Sequence, residues 1–208
     1  MEIELKYSIP DASVIEKMWR REVFAKYGTV DRDTTIPMAA TYYDTEERSL
    51  SKVDAAFRIR KEGTHYVATL KWNDTVQDGL FEREELNINI EEKQCGEPTL
   101  SVFSESGIID QLIEMVGNRP LKSIIKTEFI RHIMRIDTGS SIFEADLDTG
   151  TIQAGTKSLM ISELEIELYS GSRGELEKIG KDIAARFGLV PGVKSKFQRG
   201  LEAYNSEE

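Results

Sequence analysis

Apolar and polar residues alternate one by one through a series of short segments, and in most of them the polar partners are charged. In a β-strand, positions i, i+2 and i+4 share a face. Glu2, Glu4 and Lys6 therefore point one way, with Ile3 and Leu5 behind them. The same pattern places Arg58 with Arg60, and Thr69 with Lys71. Arg83 goes with Glu85, against Leu86, Ile88 and Ile90. Phe129 and Arg131 oppose Ile130 and Met134. Glu144, Asp146 and Asp148 alternate with Ala145 and Leu147, and Glu163, Glu165 and Glu167 with Leu164, Ile166 and Leu168. The pattern predicts eight strands, near residues 2–7, 35–43, 55–61, 65–72, 80–90, 124–136, 141–148 and 160–169.

Between them the period lengthens to that of a helix. Pro10-Asp11 closes the first strand and offers a cap, and Val14, Ile15, Met18, Trp19 and Val23 follow at helical spacing up to Gly28. Ile108, Ile109, Leu112, Ile113 and Val116 form a second stripe within 105–116, ending at Gly117. Leu176, Ile179, Ile183, Ala184 and Phe187 form a third within 172–187, ending at Gly188. Asp44 to Lys52 reads as a turn or short helix. Strands with one apolar face suit an antiparallel sheet, and eight of them can close on themselves. The expected fold is α+β: an eight-stranded antiparallel closed β-barrel with a charged interior and helices packed outside. No repeat, low-complexity stretch or linker divides 1–208, which reads as a single domain.

Charge sharpens this picture. A solvated outer face explains the alternation of any one strand, but not the sorting of acids and bases onto different strands. Here the acid-rich strands lie towards the ends of the chain and the base-rich ones in the middle. The net charge of -10 argues against a nucleic-acid surface, whereas a polyanionic small molecule fits if the bases gather in an enclosed site. The single cysteine, Cys95, excludes an internal disulfide and fits a reducing, cytoplasmic setting. No apolar run approaches the ~18 residues of a membrane span, and the acidic start lacks the pattern of a signal peptide.

Other chemistries find little support. Gly150 to Ser158 nearly spells a phosphate-binding loop, but it has one residue too many before Lys157, and a strand rather than a helix follows. His65 and His132 have no ligand-spaced neighbours, so a zinc site is not expected. Abundant carboxylates without Cys or His point to Mg²⁺ or Mn²⁺.

These residues together resemble the CYTH superfamily, the triphosphate tunnel metalloenzymes. Glu2-x-Glu4-x-Lys6 is similar to its opening signature, and Tyr43-Asp44-Thr45, then Leu50, to its Y-(F/Y)-D-T turn. Arg58-x-Arg60, Lys71, Arg83-x-Glu85, Arg131 and Asp146-x-Asp148-x-Gly150 follow in the family's order. So do Glu163-x-Glu165-x-Glu167 with Ser170-Gly171, and Ser195-Lys196-x-x-Arg199-Gly200. Thr127-x-Phe129-x-Arg131 looks like the bacterial inorganic triphosphatase branch, and no His-rich element of the cyclase branch is present.

The resemblance implies a tunnel that binds a triphosphate. By carry-over, Lys6, Arg58, Arg60, Lys71, Arg83, Arg131 and Lys196 bind substrate. Glu2, Glu4, Asp146, Asp148, Glu163 and Glu165 hold metal. Lys6, Glu165, Arg58 and Arg60 serve the chemistry. Glu85 and Glu167 are either ligands or partners that orient a base. The expected activity is Mg²⁺- or Mn²⁺-dependent hydrolysis of tripolyphosphate, thiamine triphosphate, ATP or a similar small triphosphate. The alternatives are a class IV adenylate cyclase and a non-catalytic polyphosphate or nucleotide binding module. The full acidic set argues against the last, because binding alone needs only the bases.

Overall fold

The computed structural model describes residues 1–106 and 109–206. Nine strands follow the chain: β1 (Glu2–Ser8), β2 (Thr29–Asp44), β3 (Ala56–Glu62), β4 (His65–Gln77), β5 (Leu80–Ile90), β6 (Lys122–Asp137), β7 (Ile142–Ala154), β8 (Lys157–Ser170) and the two-residue β9 (Val190–Pro191). The helices are α1 (Ile15–Met18), α2 (Arg21–Ala25), α3 (Asp110–Val116), α4 (Arg173–Phe187) and α5 (Lys196–Asn205). Neighbouring strands run antiparallel in the order β5-β4-β3-β2-β6-β7-β8-β1, and pairing of β1 with β5 closes the eight into a barrel. β9 pairs with β1 at Tyr7 and Ser8, beyond the point where β5 leaves it.

Period-2 alternation fixes which residues face in. The outward apolar residues meet two covers. Leu5, Tyr7, Leu147, Leu164 and Ile166 pack beneath α1, α2 and α4 with Met18, Phe24, Leu176 and Ile183. Phe57, Ile59, Ala68 and Leu70 pack beneath the 3₁₀ segment Leu100–Ser106 and α3, with Phe103, Ile109 and Val116. α4 is capped as its sequence demands. The Ser172 hydroxyl accepts from the Glu175 amide, and Gly188 ends the helix at φ 66°. Gly180 lets α4 lie close on β1, since a Cβ there would strike Leu5 and come within 2.8 Å of the Tyr7 hydroxyl.

A third cluster departs from the expectation that all helices lie outside. Tyr42, Ile125, Phe129, Ile152 and Ile161 face inward at one end of the barrel, where Phe197 and Leu201 of α5 meet them. α5 is thus a plug. Its Gly200 sits where a Cβ would be 2.8 Å from Ile125 Cγ2.

Four further expectations change. The helix expected from Val14 to Val23 breaks into α1 and α2 at Arg20, which is extended (φ -118°, ψ 136°), because Met18 and Phe24 must both reach the same barrel wall. Gly28 does not end that helix but packs against the Asp137 and Thr138 backbone. The stripe at 105–116 forms a helix only from Asp110, and its Ile108 lies outside the described residues. Strands β2, β4 and β7 run longer than expected. Gly150–Ala154 belongs to β7, and Gly155 turns directly into β8, so no phosphate loop forms. Among the described residues no helix is long and apolar enough to cross a membrane.

Candidate active site

The barrel encloses a cavity of about 640 Å³ lined by the inward faces of its strands and by α5. Strand order separates the charges. β7, β8 and β1 are consecutive and form an acidic wall, and β5, β4, β3, β2 and β6 carry the bases. Register then stacks the carboxylates in rows. Glu167 lies between Glu4 and Glu144, Glu165 between Lys6 and Asp146, and Glu163 between Ser8 and Asp148.

Of the residues expected in the site, Glu2, Glu4, Lys6, Arg58, Arg60, Lys71, Arg83, Glu85, Arg131, Asp146, Glu165, Glu167 and Lys196 all line this one cavity. Asp148 and Glu163 do not reach its surface. They are 0% and 2% exposed and lie behind Lys196 and Arg131. The carboxylates of Asp148, Glu163 and Glu165 lie within 4.8 Å of one another, close enough to share a cation.

The bases turn towards the acids rather than away from them. Arg83 donates to Glu2 and Glu4 at 2.5 Å each. Lys71 bridges Glu2 at 2.9 Å and Glu85 at 2.6 Å. Arg131 contacts Asp146 at 2.5 Å, Asp148 at 2.7 Å and Glu165 at 2.6 Å. Lys6 pairs with Glu165 and lies 3.5 Å from Glu4. Lys196, expected on phosphate, instead places its ammonium on Asp148 at 2.7 Å, Glu165 at 3.0 Å and Glu163. Arg58 and Arg60 are the least neutralised. Arg58 donates to the Tyr42 hydroxyl at 3.3 Å and Arg60 pairs with Glu62, yet the Nε of each is buried without a hydrogen-bond partner.

The pKa shifts follow from this partition. Burial, then the neighbouring Arg58, lowers Arg60 to about 10. Burial would also lower Lys6, but Glu165, Glu4 and Glu163 together outweigh it and raise the group. Burial pushes Glu165 up, whereas Lys196, Lys6 and Arg131 hold it well below the usual carboxylate range. Burial raises Asp146 to about 8 against the pull of Arg131. Burial with Glu2 and Glu4 nearby raises Glu167 to about 8. Asp146 Oδ1 is buried and has no hydrogen-bond partner. These are carboxylates short of positive charge, next to others that have it in excess.

Several site residues escaped the sequence reading. Tyr42 adjoins the Tyr43-Asp44 turn. Phe197 lies inside Ser195-Lys196-x-x-Arg199-Gly200, its ring stacked on Tyr42 at 5.2 Å. Glu144 belongs to the acidic alternation and pairs with Arg32 at 3.5 Å. Asp44 is not in the cavity. Buried at 0% exposure, it accepts from the amides of Thr45, Leu50 and Ser51 and from the Ser51 hydroxyl, fixing the turn that ends β2.

The interior of this closed antiparallel barrel divides into a carboxylate wall and a guanidinium-ammonium wall, charges complementary to a polyanion together with cations. The CYTH domain family matches residues 1–201, and the chain belongs to it. An inorganic triphosphatase of Haemophilus influenzae is 31% identical over 199 residues, covering 96% of this chain and 54% of that protein. The chain thus spans about half the length of the curated relative it matches. A Hippeastrum protein, described as an adenylyl cyclase candidate with a dominant triphosphatase activity, superposes with a TM-score of 0.70 at 19% identity, covering 100% of this chain and 97% of that one. A Pyrococcus horikoshii protein gives 0.58 at 20% identity, covering 98% and 99%. A proposed adenylate cyclase of Bacillus halodurans gives 0.57 at 19%, covering 96% of each.

Proposed function

We propose that this chain, acting as one unit, hydrolyses a phosphoanhydride bond of tripolyphosphate or a small organic triphosphate, with Mg²⁺ or Mn²⁺, in a cytoplasmic setting that suits its free Cys95. The observation that carries the reading is the pair Arg58 and Arg60. They are half-buried guanidiniums whose Nε atoms are buried without a partner, facing carboxylates across the barrel cavity. Such an arrangement is unfavourable until an anion enters. The donors suit a hard divalent ion. They are all carboxylates, and Asp146 and Glu167 are strained towards protonation while Asp146 Oδ1 lacks any partner. Glu2, Glu4, Asp146 and Glu167, with Glu165, are the residues that would hold it.

When bound, the metal offsets charge on the phosphoryl oxygens and acidifies water. The chain's own residues do the rest. Arg58 and Arg60 bind non-bridging oxygens and spread the charge that develops on the transferred group. Lys71, Arg83 and Arg131 exchange carboxylate partners for phosphate. Lys6, held by Glu165 and Glu4, stays charged beside the terminal phosphate. Glu165, kept ionised by three cations, orients water rather than storing its proton. The water oxygen forms a bond to the terminal phosphorus as the bridging P–O bond breaks, the diphosphate leaves, and the proton of the water departs on the phosphate products. The barrel walls, with α5 across one end, hold these groups around the bound phosphates.

The test compares phosphate release and cyclic AMP formation from tripolyphosphate, thiamine triphosphate and ATP, each in Mg²⁺ and in Mn²⁺. Phosphate release from at least one of them is expected. Absence of release from all three, or cyclic AMP as the product from ATP, would sink the proposal.

A further inference from the structure

We propose that Lys196 is the built-in cation of the Asp148–Glu163–Glu165 cluster, and that α5 is a latch on the tunnel end which a divalent ion competing for that cluster releases. The inference rests on the metal-dependent reading above, but its readouts involve no turnover.

Ser195 and Gln198 fix the start of α5 reciprocally. The Ser195 hydroxyl accepts from the Gln198 amide at 3.1 Å, and the Gln198 carbonyl oxygen accepts from the Ser195 amide at 2.8 Å. That capping box makes Lys196 the first helical residue and points its side chain into the barrel, where it is 6% exposed. Three carboxylates surround the ammonium: it donates to Glu165 at 3.0 Å and forms ion pairs with Asp148 and Glu163.

One turn on, Arg199 donates to the other oxygen of Glu163 at 2.6 Å. Arg131 takes both oxygens of Asp148, at 2.8 and 2.7 Å. Each of the three carboxylates best grouped to ligate a metal thus already pairs with at least two protein cations, and two of them are sealed from the cavity. The geometry that suits a divalent ion is the geometry that Lys196 occupies, so the two exclude each other.

Lys196 cannot leave alone. Its neighbour Phe197 stacks on Tyr42, which accepts from Arg58. Displacing the ammonium loosens the first turn of α5 and, through that stack, the support of Arg58. The same helix turn therefore reads the acidic wall through Lys196 and the basic wall through Phe197.

The experiment uses the full chain without triphosphate, with Mn²⁺ counted by electron paramagnetic resonance and amide exchange followed over 195–201. Lys196→Met should bind one Mn²⁺ more per chain than wild type, or bind its last equivalent at least tenfold tighter, and Lys196→Arg should match wild type. In wild type, saturating Mn²⁺ should speed exchange in α5. In Lys196→Met, exchange should already be fast and insensitive to the ion. An unchanged Mn²⁺ count and affinity in Lys196→Met overturns the latch. So does wild-type α5 exchange that ignores saturating Mn²⁺, an arm that stands even if the Met variant does not fold. If the chain releases no phosphate from any triphosphate yet Lys196→Met gains its extra ion, the functional reading fails and the latch survives.

Discussion

Replacing Arg60 with Met should make the ligand-free protein more stable while abolishing its response to tripolyphosphate. The Arg60 side chain is 15% exposed, and burial with Arg58 nearby lowers it from the usual guanidinium range to about 10. A base whose pKa is lower in the folded state binds its proton more weakly there, so its charge opposes folding. That penalty is complete at neutral pH and fades only as pH climbs beyond about 10. At 1.36 kcal/mol per pH unit the drop corresponds to roughly 3 kcal/mol. Losing the Glu62 pair and the packing of the stem offsets part of it, leaving a gain of about 1–2 kcal/mol, or roughly 2–8 °C in Tm for a chain of this size. Binding should move the other way, weakening by about 2–5 kcal/mol as for truncation of a buried charge partner. Thermal denaturation with and without tripolyphosphate reads both effects. At a hundredfold excess over Kd the ligand adds about 2.7 kcal/mol to wild type, and most of that increment should vanish in the variant. Lys61→Met, an exposed neighbour on the outer face, is the control and should change either quantity by under ~0.5 kcal/mol. An Arg60→Met protein less stable than wild type by 1 kcal/mol, or one with a full ligand increment, would refute the reasoning.

Three more outcomes are expected. Glu4→Gln keeps the shape of the side chain that receives Arg83 but loses its charge, so turnover at limiting Mg²⁺ should fall at least tenfold with the circular dichroism unchanged; full activity removes Glu4 from the metal set. With chelator present, stability should decline as pH rises from about 4 to 8. The unfolded chain releases the protons of Asp146 and Glu167 near the ordinary carboxylate values, and the folded chain keeps both to about 8. Saturating Mg²⁺ should flatten the decline, and a flat chelated profile would contradict the raised values. Asp44→Ala leaves four donors unanswered in a buried turn and should cost about 3 kcal/mol in chemical denaturation, with a loss below ~1 kcal/mol counting against it.

The barrel was legible because period 2 survives wherever one strand face meets a cover and the other a ligand site. That is why Glu2-x-Glu4-x-Lys6 and Glu163-x-Glu165-x-Glu167 announce their inward residues. The pattern fades where both faces are polar, so Thr29 to Thr34 of β2, exposed from Asp31 onward, lie outside the strand the sequence predicts. α5 was hidden for a related reason. Its inward side carries Lys196 as well as Phe197 and Leu201, so no apolar stripe marks it. The division of labour among the carboxylates was hidden too. Glu165 and Glu167 occupy equivalent places in the sequence, yet Glu165 faces Lys6 and Arg131 while Glu167 faces Glu4 and Glu144. Only register across three strands separates a carboxylate held ionised from one pushed to about 8.

That register also explains how a chain of net charge -10 can receive a polyanion. In the ligand-free tunnel the bases are engaged by the acidic wall. Arg83 belongs to Glu2 and Glu4, and Arg131 to Asp146, Asp148 and Glu165. A triphosphate that draws Arg83, Lys71 and Arg131 to itself strips those carboxylates of their partners and leaves buried anions uncompensated, a loss of several kcal/mol per broken pair. A divalent ion on the same carboxylates removes that penalty. On the proposed function, triphosphate and metal therefore bind with positive coupling, and the coupling is reciprocal. Calorimetric titration of tripolyphosphate into the chelated and the Mg²⁺-loaded protein measures it. Affinity should rise at least tenfold with the metal, beyond what the weak Mg²⁺ complex of the free ligand explains. Equal affinities in the two states would mean that the bases never let go of the acids, and that the triphosphate is held by Arg58 and Arg60 alone.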